Sequence, residues 1–200
     1  SAFPPPPAFT AMLQSFKAVR FDGVLPPVRP SDYLISIRPG AIRAHNRPLP
    51  TYTLAELNHL KAEVDRLSTL GLIERSDQRH FLVPSLVEKK NGDFRIVFDY
   101  RSVNAITLAL PTSLSSFRSL MPGLSDAKIF SSLDLKSGYN QLRIHDDTKP
   151  FTAFNTPFGV FQWRVLPFGL CDAPQVFGSY MTHLLQPYSD FCRVYLDDII

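Results

Sequence analysis

Two hundred residues with 44% hydrophobic content can bury a sizeable core, enough for one domain or two closely packed subdomains. A formal net charge of +3, with its basic excess in the first quarter and an acidic last quarter, excludes the strongly basic footprint that marks many polynucleotide binders. Cys171 and Cys192 make no Cys-x-x-Cys pair, which argues against a disulfide framework and for reduced thiols in an intracellular compartment.

No apolar run approaches the roughly 18 residues of a membrane span, so no membrane partner is expected. The opening Ser1-Ala2-Phe3-Pro4 lacks an initiator Met and a basic, apolar signal pattern, and reads as a processed, excised or cloned start. Residues 1–50 hold more than half of the 18 prolines. That density prevents regular helix and central strand, so the segment reads as an extended arm, a disordered leader up to about residue 15 and ordered from Phe21 onward.

Thr53 and Glu56 then form a capping box, and Leu54, Leu57, Leu60, Val64, Leu67 and Leu70 recur at helical spacing up to the stop at Gly71. Strands are expected over 81–87 and 94–98, joined through Asn91-Gly92, a strong hairpin signal. A short helix near 114–120 precedes expected strands at 128–134 and about 139–144, and a hairpin pairing 151–155 with 160–165. A helix from Pro174 to about Leu185 turns Val176, Phe177, Tyr180, Met181 and Leu184 inward, and the last strand is expected over 191–196. Mixed helices and hairpins argue for an α+β fold with a largely antiparallel sheet.

The residues with the most chemistry are acids. Asp197-Asp198 stand in an apolar run, Tyr195-Leu196-Asp197-Asp198-Ile199-Ile200, and Asp134 stands in another, Leu133-Asp134-Leu135. Carboxylates in such runs must be paired, protonated or metal-bound if buried. A hairpin presenting acids to divalent cations beside a neighbouring strand end explains all three, as in a two-metal phosphoryl-transfer site. Solvated turn acids explain each of them singly.

Between the acids lie Asp134-Leu135-Lys136-Ser137-Gly138-Tyr139, Gln141-Leu142-Arg143-Ile144, Thr152-Ala153-Phe154, Leu166-Pro167-Phe168-Gly169-Leu170, Ala173-Pro174 and Phe177. In this order and spacing they resemble the reverse transcriptases of gypsy-like long-terminal-repeat retrotransposons, and more distantly the retroviral enzymes, from about Phe21 to Ile200. The resemblance implies a palm-and-fingers polymerase fold truncated before the thumb. It places the arm at 1–50, mainly fingers at 51–125, and mainly palm at 126–200, with part of the fingers at about 145–165. Its implied activity is RNA-directed DNA polymerisation, adding deoxynucleoside triphosphates to a primer on an RNA or DNA template.

The resemblance also implies roles. Asp134 and Asp197 bridge two Mg²⁺ ions (or Mn²⁺), Asp198 is catalytically required beside them, and the Leu135 carbonyl completes one coordination sphere. Backbone N–H groups of Ser137 and Gly138 hold the triphosphate as an anion nest, and Tyr139 is the steric gate against a 2′ hydroxyl. Lys89 (or Lys90) and Arg95 grip the phosphates, Phe168 packs near the nascent base pair, and Gly169 lets the template backbone approach. From the residues alone, Lys136-Ser137-Gly138 is an ordinary turn, Tyr139 a core tyrosine and the lysines a solvated hairpin tip. Gln78-Arg79-His80, Phe151 and Cys171-Asp172 depart from the family pattern, and none of them removes a metal ligand.

With Ile199 and Ile200 alone left for a return strand, the acids are expected in a hairpin turn whose ladder cannot form without a partner chain completing the palm. The isolated 200 residues are accordingly expected to extend no primer. The competing expectation is a retroelement-derived fragment that serves as a structural or interaction subunit.

Overall fold

The computed structural model describes residues 25–41, 48–110, 127–135, 137–195 and 198–200. The first long helix, α1 (Leu54–Thr69), begins where the sequence signals it. Thr53 Oγ1 accepts from the Glu56 amide at 3.3 Å, and the Glu56 carboxylate accepts from the Thr53 amide at 2.7 Å. The bond from the Thr53 amide, and then a second one donated by Thr53 Oγ1 at 2.9 Å, hold the Glu56 carboxyl below its usual range. Leu60, Val64 and Leu67 are buried, whereas Leu54, in the first turn, is exposed rather than packed. Gly71, at φ 69°, ends the helix and lets the Leu72 amide return to the Leu67 carbonyl.

Strand β1 (Ile73–Arg75) pairs antiparallel with β6 (Gly159–Trp163), which pairs antiparallel with β5 (Phe154–Thr156). Strands β2 (Pro84–Glu88) and β3 (Phe94–Phe98) form the expected hairpin, in register from Pro84↔Phe98 to Glu88↔Phe94. A short helix, α2 (Arg101–Asn104), follows, with Val103 fully buried. A third sheet joins β4 (Leu133–Asp134), β7 (Val194–Tyr195) and β8 (Asp198–Ile199), antiparallel and with β8 in the middle. Helix α3 (Ala173–Leu184) contributes Phe177 and Met181 to the core, which includes Phe154, Phe161 and Trp163 and has the partly buried Phe98 packed against it. The rings of Phe98 and Phe154 meet edge to face at 4.8 Å, and those of Phe98 and Trp163 at 5.6 Å.

The arm belongs to this core. Tyr33 and Ile35 are buried, and main-chain bonds run from Tyr33 N to Arg143 O, His145 N to Tyr33 O, Arg38 N to Ile106 O and Leu108 N to Ser36 O. The Tyr33 hydroxyl donates to Asp172 at 2.9 Å.

Several expected elements differ. Only Leu133–Asp134 of the expected strand 128–134 is strand, and Ile129 and Phe130 stand exposed before it. In place of a strand at 139–144 there is a 3-10 turn, Gly138–Gln141, followed by single bridges Arg143↔Val165 and Tyr33↔Ile144. Ser137, at φ 52°, stands immediately ahead of this turn in a left-handed conformation. Phe151 lies in a 3-10 helix, Asp146–Thr152, so the following hairpin starts only at Phe154. Leu184 is exposed at the end of α3 rather than turned inward, and Phe191 is exposed ahead of a last strand confined to Val194–Tyr195. The expected helix at 114–120 lies outside the described residues.

The expectation that the acidic hairpin cannot form a ladder is overturned. Strand β8 pairs with β7 on one edge and with β4 on the other, and Arg193 and Ile200 exchange main-chain bonds of 2.7 and 2.8 Å. Support from both edges lets a two-residue strand hold, so pairing with a second chain is not needed for this ladder. Asp198 accordingly lies on the strand and not in the turn.

Phe154, 1% exposed and touching three other rings, tests this core. Phe154→Ala should lower stability by about 3–5 kcal/mol in denaturant titrations; a loss below about 1 kcal/mol would mean the aromatic cluster is not the centre of the fold.

Candidate active site

The three-stranded β4-β8-β7 sheet sets Asp134 directly opposite Asp198, with Leu133 opposite Ile199 and Tyr195 opposite Asp198 on the other side. Like charges directly opposite across an antiparallel pair are destabilising. A divalent cation reverses that sign, and carboxylate and carbonyl oxygens are the ligand type a hard cation such as Mg²⁺ takes. By chemical type, Asp134, Asp198 and the Leu135 carbonyl are donors that such an ion takes. Asp198 is exposed, so a cation could reach it from solvent. Asp197 lies outside the described residues, among which no three His, Cys, Asp or Glu form a metal-ligand cluster.

Beyond β4 the chain turns sharply. Ser137 takes a left-handed conformation at φ 52° and ψ 42°, at a cost of order 1–3 kcal/mol. Gly138 follows for a steric reason: a Cβ there would lie 2.8 Å from Phe177 Cζ and 3.4 Å from Leu135 Cβ. The missing side chain lets the turn sit directly on α3. Tyr139, next in the chain, packs edge to face on Phe177 at 5.1 Å and against Phe168 at 4.7 Å. Of these three rings, Phe177 is buried and Phe168 is half exposed, so the stack runs from the core to the surface.

The loop carrying Phe168 rests on a different part of the chain. Gly169, at φ 106°, has no room for a Cβ, which would lie 2.9 Å from Tyr100 Cδ2 and 3.5 Å from the Phe98 carbonyl oxygen. The structure thus brings together Ser137, Gly138, Tyr139, Phe168 and Gly169. Phe177 and Tyr100 shape their backbone; the sequence marked Phe177 as an inward aromatic and a motif residue, and gave no signal for Tyr100. Lys89 and Arg95 belong to the β2–β3 hairpin, where Arg95 is exposed and pairs in register with Val87. Lys89 Nζ lies 2.8 Å from the Asp93 carboxylate, and His59 Nδ1 lies 3.3 Å from that same group. The hydrogen bond from Lys89, more than any other contact, holds the Asp93 carboxyl below its usual range.

Residues 87–200 match the family model described as reverse transcriptase (RNA-dependent DNA polymerase). The enzymatic polyprotein of figwort mosaic virus is 36% identical over 154 residues, covering 75% of this chain and 23% of the viral protein. That of cestrum yellow leaf curling virus is 37% identical over 154 residues, covering 74% and 24%. The chain therefore spans about a quarter of the length of these curated relatives. Among solved structures, a prototype foamy virus protease-reverse transcriptase superposes with a TM-score of 0.80 at 20% identity, over 96% of this chain and 26% of the other. A foamy viral protease-reverse transcriptase in complex with RNA/DNA hybrid superposes at 0.79, with 20% identity and the same coverage. The fold is that of the palm and fingers in these enzymes.

The packing of the turn on α3 can be checked without any assay of activity. Gly138→Ala should destabilise the chain by about 1–3 kcal/mol through overpacking. Phe177→Leu, which removes the ring atom met at 2.8 Å, should recover part of that loss when combined with it. Equal stability of Gly138→Ala and the parent would show that the turn does not need this close approach.

Proposed function

The chain belongs to the reverse transcriptase (RNA-dependent DNA polymerase) family, and we propose that its β4-β8-β7 sheet is the centre at which deoxynucleotides are joined to a primer 3′ hydroxyl. One observation carries this reading: Asp134 and Asp198 face each other across paired strands, and the turn that leaves β4 leads directly into the Tyr139–Phe168 stack. One acid for cations and one ring of an aromatic wall for a nucleotide therefore arise from one short stretch of chain, Asp134 to Tyr139. We assign 51–125 mainly to the fingers and 126–200 mainly to the palm, with part of the fingers at about 145–165.

Asp134, Asp197 and Asp198, with the Leu135 carbonyl, would hold two Mg²⁺ ions, or Mn²⁺ in their place. Bound there, the ions supply charge neutralisation at the attacking and leaving oxygens of the transfer. The other residues bind and orient. Amides of Ser137 and Gly138 meet the triphosphate, while Lys89 and Arg95 reach it from the β2–β3 hairpin. Lys89 leaves Asp93 to do so, at little cost, because exposed ion pairs are worth only about 0–1 kcal/mol. The Tyr139 ring, packed against Phe168 and Phe177, cannot swing aside for a 2′ hydroxyl. Gly169 leaves space for a template strand of RNA or DNA. Phe168 favours placement among gypsy-like long-terminal-repeat retroelements.

In the full-length protein containing these residues, Asp197→Asn should reduce templated primer extension in Mg²⁺ by roughly 100-fold or more, with folding intact. Metal ions supply several kcal/mol in such reactions, at about 1.4 kcal/mol per tenfold. Near-normal extension would refute the metal assignment.

Sugar choice is a separate test of the same site. Tyr139→Val should raise the ratio of ribonucleotide to deoxynucleotide incorporation, and an unchanged ratio would make Tyr139 a packing residue and no more.

A further inference from the structure

Phe168 and Gly169 meet the nucleotide and template in the function proposed above. Phe168 is half exposed and packs on Tyr139, and Gly169 has no side chain. Their position depends on the backbone of the loop between Pro167 and α3. Asn104, the last residue of α2, holds that backbone at two points. Its Nδ2 donates to the Gly169 carbonyl at 3.0 Å, and its Oδ1 accepts from the Cys171 amide at 3.0 Å.

A single planar amide thus satisfies one acceptor and one donor two residues apart, and the two bonds together fix which end of the amide is oxygen. No other side chain of this length offers both groups in one plane except in part: Asp lacks the donor. The support under Asn104 is rigid. Val103 beside it is fully buried, the Asn104 amide donates to the Tyr100 carbonyl at 2.8 Å, and Tyr100 is the ring that Gly169 rests on. At its far end the loop is fastened by Asp172, whose buried carboxylate accepts from Tyr33 Oη at 2.9 Å and Leu110 N at 3.2 Å.

We infer that Asn104 is a positioning residue for nucleotide selection, acting through the backbone of residues 169–171 to set where Phe168 stands against Tyr139. The inference rests on the assignment of Phe168 and Tyr139 to the nucleotide site. It predicts an effect on how well the correct nucleotide is held and distinguished, and little effect on the acids that serve the transfer itself.

Two measurements on the full-length protein test it, using Asn104→Ala and Asn104→Asp. Hydrogen exchange reads the loop alone. Asn104→Ala should speed exchange of the Cys171 amide by roughly tenfold, as expected for a lost hydrogen bond of ordinary strength. Asn104→Asp keeps the acceptor and should leave that amide protected. Steady-state extension reads selection. Both variants lose the bond to Gly169, so both should raise KM for the correct deoxynucleotide severalfold, with kcat within about twofold, and should raise misinsertion relative to correct insertion. A purely structural role would move neither the KM-to-kcat split nor misinsertion. Unchanged exchange in Asn104→Ala overturns the clamp. Faster exchange with unchanged KM and misinsertion overturns its part in selection. An unaltered parent protein that extends no primer would refute the proposed activity instead, and the exchange result would then decide the clamp by itself.

Discussion

A buried carboxylate organises the region around the site. Asp172 is 4% exposed, and a carboxylate so placed is tolerable only when donors surround it. Its two oxygens take one donor from the N-terminal arm, Tyr33 Oη, and one from the segment after α2, Leu110 N. Burial first, and then the bond to Asp172, push the Tyr33 hydroxyl well above the usual tyrosine range, so it stays a donor at any working pH. Three stretches far apart in sequence are thereby tied at the residue that precedes α3. Helix α3 carries Phe177, Phe177 carries Tyr139, and Tyr139 carries Phe168. The aromatic wall of the site stands on this anchorage.

The acidic sheet works by a different economy. Its three strands are two residues long, and β8 pairs on both edges. The same pairing that stabilises the strand sets Asp134 opposite Asp198 in the register. The left-handed Ser137 adds a local strain immediately after β4. The strained turn thus follows the acidic sheet directly, while the buried rings of Phe154, Phe161 and Trp163 lie in a separate sheet.

Much of this was legible in the sequence where one local rule sufficed. Thr53 and Glu56 announced the start of α1, Asn91-Gly92 the β2–β3 hairpin, and Pro174 the first turn of α3. Local rules failed where burial or pairing is decided at long range. Leu54 and Leu184 fit the helical period of their helices yet stand exposed at the ends, beyond the reach of the packed face. The run from Tyr139 to Ile144 has strand-like residues, but each of its ladder partners comes from elsewhere, Val165 and Tyr33, one bridge at a time. In the sequence Cys171-Asp172 is only a departure from the family pattern, whereas in the structure Asp172 is an internal anchor.

The sequence by itself determined the reverse transcriptase family and the order of the motifs, because those depend on residue type and spacing along one chain. The tertiary structure decided what lies opposite what. That Asp198 pairs with Asp134, that Gly138 must be small because Phe177 lies above it, and that Asn104 reaches across to Gly169 and Cys171 are contacts between segments 39 to 67 residues apart. No periodicity records such contacts, since their energy comes from register and close packing formed only once the chain has folded.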